Sequence, residues 1–244
     1  MPPAKDGLPH RSDVYWRAPE NDANHRAPAG TTWILGVDVG VRNLALALLA
    51  WFDGAIYLVA LVHYDAGASV TAETNAGLYR QVLPIFEDLL EAVRAGGGRR
   101  AHLAIEQQQK QTNDAYMVEV AGLLEAMFCE AHTALLGTPD PSAIHKVQPS
   151  AQTSVAMQRR LLPGSRPVPV TGRVEKKARA VAMLKIWLED HGHADVSAAY
   201  DAMLTRVGRS GKPVKNADRR DHVADAFLCA VSLGHAMGLD RPPA

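Results

Sequence analysis

Apolar and polar positions change period along this chain, and each change marks an element. Residues 33–39 form an apolar run of strand length. Residues 44–52 and 55–63 form two more. Asp53-Gly54 between them is the pair a two-residue hairpin prefers, because both central positions need positive φ. Across 74–95 the period becomes helical, with Leu83, Phe86, Leu89, Leu90 and Val93 on one face. Pro84 either kinks this helix or marks its start, and Gly96-Gly97-Gly98 ends it. Residues 101–105 return to strand. Residues 113–132 predict a helix with Met117, Val120, Leu124, Met127 and Phe128 on one side. A short strand over 144–148 stops at Pro149. Helices follow over 174–191, 196–207 and 221–237.

Three antiparallel strands, then helix–strand–helix–strand, then helices, predict an α/β fold. Its mixed central sheet should carry helices on both faces. Residues 1–30 contain five prolines and no apolar periodicity, and predict a disordered tail ahead of a domain over 31–244. No internal repeat interrupts that domain.

Composition sharpens the picture in three ways. First, 47% of residues are apolar, enough for a sizeable core. Second, no stretch reaches the roughly 18 apolar residues of a membrane helix, and no secretory signal opens the chain, so a soluble intracellular protein is expected. Third, Cys129 and Cys229 are far apart and outside any Cys/His array, which predicts reduced core thiols rather than zinc or a disulfide.

Net charge is zero, but it is unevenly distributed. Residues 1–145 hold 10 Lys and Arg against 17 Asp and Glu, whereas 146–220 hold 15 against 6. A basic segment of this kind can bind phosphates inside a neutral protein.

Three carboxylate positions fit a structural role poorly. Asp38 stands inside the apolar run Ile34-Leu35-Gly36-Val37-Asp38-Val39-Gly40, where a buried charge is expensive without a partner. The flanking glycines allow something to approach the backbone closely. Glu106 ends the strand His102-Leu103-Ala104-Ile105, at the edge where open α/β sheets place their sites. In Arg219-Arg220-Asp221-His222-Val223-Ala224-Asp225, Asp221 could simply cap the last helix. Asp225 lies one turn further in, about 40° from Asp221 and about 60° from His222, so all three side chains can share one site. Hard carboxylate oxygens from three places suit Mg²⁺, and a pair of such ions can activate water against a phosphodiester.

The order of these segments resembles a known family. "ILGVDVGVRNLALALL", "HLAIEQQQKQTNDAYMVEVAGLLEAMF" and "RRDHVADAFLCAVSLG" resemble the three motifs of Holliday-junction resolvases in the RNase H-like superfamily, the branch of RuvC and the fungal mitochondrial and poxvirus resolvases. The resemblance spans roughly residues 33–234. It implies that Asp38, Glu106 and Asp225 are metal ligands, and that His222, standing where the family has another aspartate, is the fourth. Asp221, one residue away, is the alternative ligand. It also implies DNA contacts from Lys176 and Lys177, and phosphate contacts are expected from Lys110, Arg219 and Arg220 as well. The cofactor implied is Mg²⁺, with Mn²⁺ able to substitute and two ions per site. The implied assembly is a homodimer on a four-way DNA junction, leaving 5′-phosphate and 3′-hydroxyl ends.

Three other readings stay open. The chain could be an RNase H-like nuclease of another branched or hybrid substrate. It could be a junction-binding protein without activity. It could also be an actin-like kinase or ATPase, whose first loop likewise reads Gly-x-Asp-x-Gly.

Overall fold

A computed structural model describes residues 12–17, 27–39, 43–65, 74–107, 115–148, 154–164, 173–202 and 220–240. Among the described residues there are six strands: β1 Ser12–Arg17, β2 Thr32–Asp38, β3 Asn43–Phe52, β4 Ala55–Asp65, β5 Ala101–Glu106 and β6 Ile144–Val147. Helices are α1 Thr74–Ala95, α2 Ala115–Leu136, α3 Val155–Leu161, α4 Arg173–Asp190, α5 Ala194–Ala202 and α6 Arg220–Ala236.

The strands form one sheet in the order β1-β4-β3-β2-β5-β6. β1, β4, β3 and β2 pair antiparallel, while β2, β5 and β6 run parallel. This is the mixed α/β sheet expected of an RNase H-like fold. The β3–β4 hairpin turns at Asp53 and Gly54 with φ of 51° and 76°, so the Asp-Gly pair supplies the positive φ values predicted for it.

The two-residue period of the strands divides the core. Trp33, Leu35, Val37, Leu46 and Leu48 pack with Phe86, Leu89 and Leu90 of α1 and Leu124, Met127 and Phe128 of α2. Ile34, Ala45, Ala47 and Leu49 face the other way, against α4 and α6. Helices therefore cover both faces. Pro84 lies inside α1, not at its start.

Three boundaries differ from the sequence expectation. Ser12–Arg17, inside the predicted disordered tail, is an edge strand on β4, with Tyr15 opposite Val62 and Trp16 opposite Leu61. Val14-Tyr15-Trp16 is a β-prone triplet that the surrounding prolines obscured. Helix α3 was not predicted; Ser154 caps it by accepting a hydrogen bond from the Met157 amide at 3.0 Å. Helix α2 runs to Leu136, beyond the predicted end at 132.

The sheet and α6 meet at Gly36. A Cβ at this position would lie 2.1 Å from the Ala226 carbonyl oxygen and 2.8 Å from the Ala230 amide nitrogen. Both are helix backbone, which cannot step aside as a flexible side chain can. Gly36→Ala should therefore cost about 3 kcal/mol or more, at the upper end of overpacking penalties. Urea denaturation checks this, and a cost below about 1 kcal/mol would show that α6 does not depend on that approach.

Candidate active site at the strand ends

The site is built where β2 and β5 end together. Their parallel register runs through Val37 opposite Ile105, and the next residue of each strand is an acid, Asp38 and Glu106. Asp38 shares the face of Ile34 and Gly36, beneath α6. The first two turns of α6 carry Asp221, His222 and Asp225 over these strand ends. Five residues named from the sequence thus converge.

Asp38 is buried. His222 Nδ1 lies 2.7 Å from its Oδ2, and because a carboxylate accepts, Nδ1 donates. Asp221 is also buried and forms an ion pair with Lys177 of α4, a half-exposed side chain. The second Asp221 oxygen, Oδ1, has no hydrogen-bond partner among the described residues and lies 3.9 Å from His222 Nε2.

Charge crowding shows most clearly at Asp225. Burial, then the nearby charges of Asp38, Glu106 and Asp221, push its carboxyl up to about 8, and Lys177 offsets this only in part. For His222, burial pulls the imidazole down, but the Asp38 hydrogen bond and the Asp38 and Asp221 charges outweigh it, so the net shift is upward.

The basic residues divide. Lys176 is exposed on α4, consistent with a surface role. Lys177, expected to contact DNA, pairs with Asp221 in this structure, because its position on α4 faces the start of α6. Lys110 and Arg219 lie outside the described residues, as does the side chain of Arg220. Both cysteines are free: Cys229 is buried and Cys129 only half-buried.

One residue escaped the sequence reading. Asp38, Ala45 and His63 occupy one row across β2, β3 and β4. His63 is fully buried, with its ring centroid 6.2 Å from that of His222. No local signal marks it: His63 follows the apolar run Leu58–Val62, and its place in the row of Asp38 and Ala45 comes from strand register.

Among the described residues, no three His, Cys, Asp or Glu side chains already stand as a ligand array for a metal. The donor set nevertheless fits a hard divalent cation. It is rich in carboxylate oxygen, includes the orphaned buried Asp221 Oδ1, and holds more negative charge than Lys177 and His222 balance. Asp221 keeps Oδ1 for a cation while its other oxygen pairs with Lys177.

No family model matches the chain, and no characterised protein matches it in sequence. In structure it is similar to fowlpox virus resolvase in complex with its substrate Holliday junction DNA, at 12% identity and a TM-score of 0.46, over 84% of this chain and 99% of that one. It is similar to RuvC of Thermus thermophilus at 17% identity and a TM-score of 0.44, over 87% and 100%. A Ppx/GppA family member from Aquifex aeolicus is similar at 10% identity and a TM-score of 0.35, over 86% and 91%. Values this low leave the chemistry to be argued from the side chains.

The Asp225 shift has a measurable consequence in metal-free protein. Between its ordinary 3.8 and about 8, the folded state holds a proton that the unfolded chain has released. Stability should therefore fall as pH rises through that window. Asp225→Asn should flatten the fall and be the more stable protein at pH 8, by roughly 1 kcal/mol or more. Urea denaturation in EDTA at pH 5 and pH 8 measures this. Equal slopes for the two proteins would mean that Asp225 is not crowded.

Proposed function

We propose that this chain is a structure-specific DNA endonuclease that resolves four-way junctions by metal-assisted phosphodiester hydrolysis. The observation carrying the reading is the convergence of Asp38, Glu106, Asp221 and Asp225, from two strand ends and one helix, with Asp225 crowded enough to hold its proton. Burying acids together costs stability, and a site that receives a cation and a phosphate accounts for that cost. The three-motif resemblance supplies the substrate.

Asp38, Glu106 and Asp225 would hold Mg²⁺ or Mn²⁺, two ions per site, with Asp221 as a further oxygen donor. When bound, the cations supply Lewis-acid activation of water and neutralise charge on the phosphate. His222 serves a different end. With Nδ1 committed to Asp38, Nε2 would take the proton of the attacking water in the neutral form of the ring, which bound cations would favour over the charged form that the metal-free site stabilises. The new P–O bond would form as the bond to the 3′-oxygen breaks; that oxygen takes a proton from solvent water, leaving a 5′-phosphate and a 3′-hydroxyl. Lys177 balances charge beside Asp221, and Lys176 reaches the DNA backbone. A homodimer would present two such sites to opposed strands.

One gel tests the reading: a synthetic four-way junction, a duplex, a flap and an RNA–DNA hybrid, each with and without Mg²⁺. The junction alone should be cut, and only with metal. Preferential cutting of the hybrid or flap would reassign the substrate, and binding without cutting would make the protein a non-catalytic junction binder. Asp38→Asn should lower turnover by ~10³-fold while leaving junction affinity within about tenfold, given the weight of electrostatic stabilisation in phosphoryl chemistry.

Salt dependence tests the surface. Lys176→Ala should flatten the slope of log affinity against log salt by about 0.9, the value of one phosphate contact. An unchanged slope would move the DNA path elsewhere.

A further inference from the structure

The sheet carries a second group of metal-seeking side chains, away from the acids. β6 is a four-residue edge strand whose neighbour is β5. Leu103 of β5 and Ile144 of β6 are opposite each other in the ladder, and both pack on the α1–α2 side. Alternation therefore turns His102 and His145 to the other face, the face of Ala104 and Glu106. His102 lies four positions before Glu106, roughly 13 Å along the strand. The acidic site does not use either histidine.

The two rings meet across the strands. His102 Nδ1 is 3.2 Å from His145 Nε2, and the ring centroids are 5.3 Å apart. A tetrahedral ion bound at about 2.0–2.1 Å to two imidazole nitrogens holds them about 3.3 Å apart and the ring centres about 5 Å apart. A neighbouring pair on an octahedral ion stands about 3.0 Å apart. For a hydrogen bond from an N–H group, 3.2 Å is instead the long end of the range. A modest rotation about each soft terminal torsion turns the nitrogens from facing each other to converging on an ion.

The surroundings admit a cation. Arg100 is positive beside the pair, but it bonds Ser142 Oγ at 3.0 Å and lies 3.9 Å from Asp140, whose carboxylate offsets it. Burial, then Arg100, pulls His102 down to about 4, and burial and Arg100 lower His145 as well. Both rings are thus neutral near pH 7, so an ion competes with no imidazolium proton. Each ring can carry its single proton on the outer nitrogen, which leaves lone pairs on the two inner ones. Both side chains are half-buried, so solvent ions reach them. His132 does not join them, because its Nδ1 is held 2.6 Å from the Gly137 carbonyl and its Nε2 accepts from the Ala101 amide at 3.3 Å.

We propose that His102 and His145 bind a divalent transition ion of the zinc class, with water completing its coordination, and that the ion staples β6 to β5. Imidazole suits zinc, nickel and copper, whereas carboxylate oxygen suits magnesium, so this face of the sheet holds two sites of different preference. The proposal does not depend on the activity proposed for the acidic site.

Calorimetry with Zn²⁺ in ~10 mM Mg²⁺, which occupies hard carboxylate sites, tests it. One ion per chain should bind at the pair with Kd of ~10 µM or tighter. His102→Ala and His145→Ala should each weaken binding at least ~tenfold, whereas Asp38→Asn should leave it unchanged. Zn²⁺ should also raise the urea midpoint of the wild-type protein and of neither histidine variant. Urea denaturation in EDTA shows that the variants fold; if His102→Ala does not, His145→Ala on the edge strand decides. The proposal is overturned if no Zn²⁺ binds at ~200 µM, or if binding is indifferent to both histidines. Binding that is lost in Asp38→Asn and kept in the histidine variants would also overturn it, by placing the ion among the acids.

Discussion

The last helix lies on the first core strand at backbone distance, and the geometry of the acidic site follows from that approach. At Gly36 there is no room for even a methyl group before the Ala226 carbonyl. A side chain there would lift α6 and draw Asp225 away from Asp38 and Glu106. It would also move His222 off Asp38, whose 2.7 Å hydrogen bond joins residues 184 positions apart in the chain. The glycine thus sits two residues before the acid whose surroundings it sets. Small residues on the facing surfaces, Ala45 and Ala47 on β3 and Ala226 and Ala230 on α6, serve the same close packing.

That approach concentrates negative charge where water is scarce. The helix N-terminus favours anions within about its first turn. Asp221 has that benefit, whereas Asp225 sits a turn further in, and its carboxyl is pushed up to about 8. The site therefore divides its acids by environment. Asp38 and Asp221 have internal cationic or hydrogen-bonding partners, whereas Asp225 bears the excess. A divalent cation would reverse the sign of the local field and let Asp225 ionise, which couples metal binding to deprotonation. In this arrangement Lys177 and His222 are internal counter-charges first, and any role toward DNA comes second.

Much of this was legible in the sequence for a specific reason. An acid inside an apolar strand violates the cost of burying charge, so Asp38 stood out from its own surroundings, and Gly36 beside it pointed to a close backbone approach. Glu106 and Asp225 needed only the placement of a strand end and a helical turn. His63 was overlooked because histidine in a strand is ordinary, and its meaning depends on the row Asp38–Ala45–His63, a register that no local pattern encodes. Lys177 was read as a DNA contact, and periodicity on α4 does not reveal that it also faces Asp221 on the neighbouring helix. The edge strand Ser12–Arg17 was hidden among prolines, and its pairing with β4 is a long-range choice. Local violations of physical rules were readable, whereas the consequences of cross-strand register and helix neighbours were not.

Helix α6 joins the two ends of the molecule by opposite means. At its start, buried acids outnumber their cations; at its finish, Gly234 lets Trp51 pack where a Cβ would lie 2.4 Å from the indole ring. Two glycines thus bring a helix and a strand within side-chain exclusion distance, Gly36 of the sheet at the middle of α6 and Gly234 of the helix at its finish. A helix fixed at two separated points in this way has little freedom to slide or rotate. The relative positions of Asp221, His222 and Asp225 over the strand ends are then set by core packing rather than by the segments flanking the site. That is the condition for a preorganised site, in which the scaffold holds repelling acids together before any cation arrives.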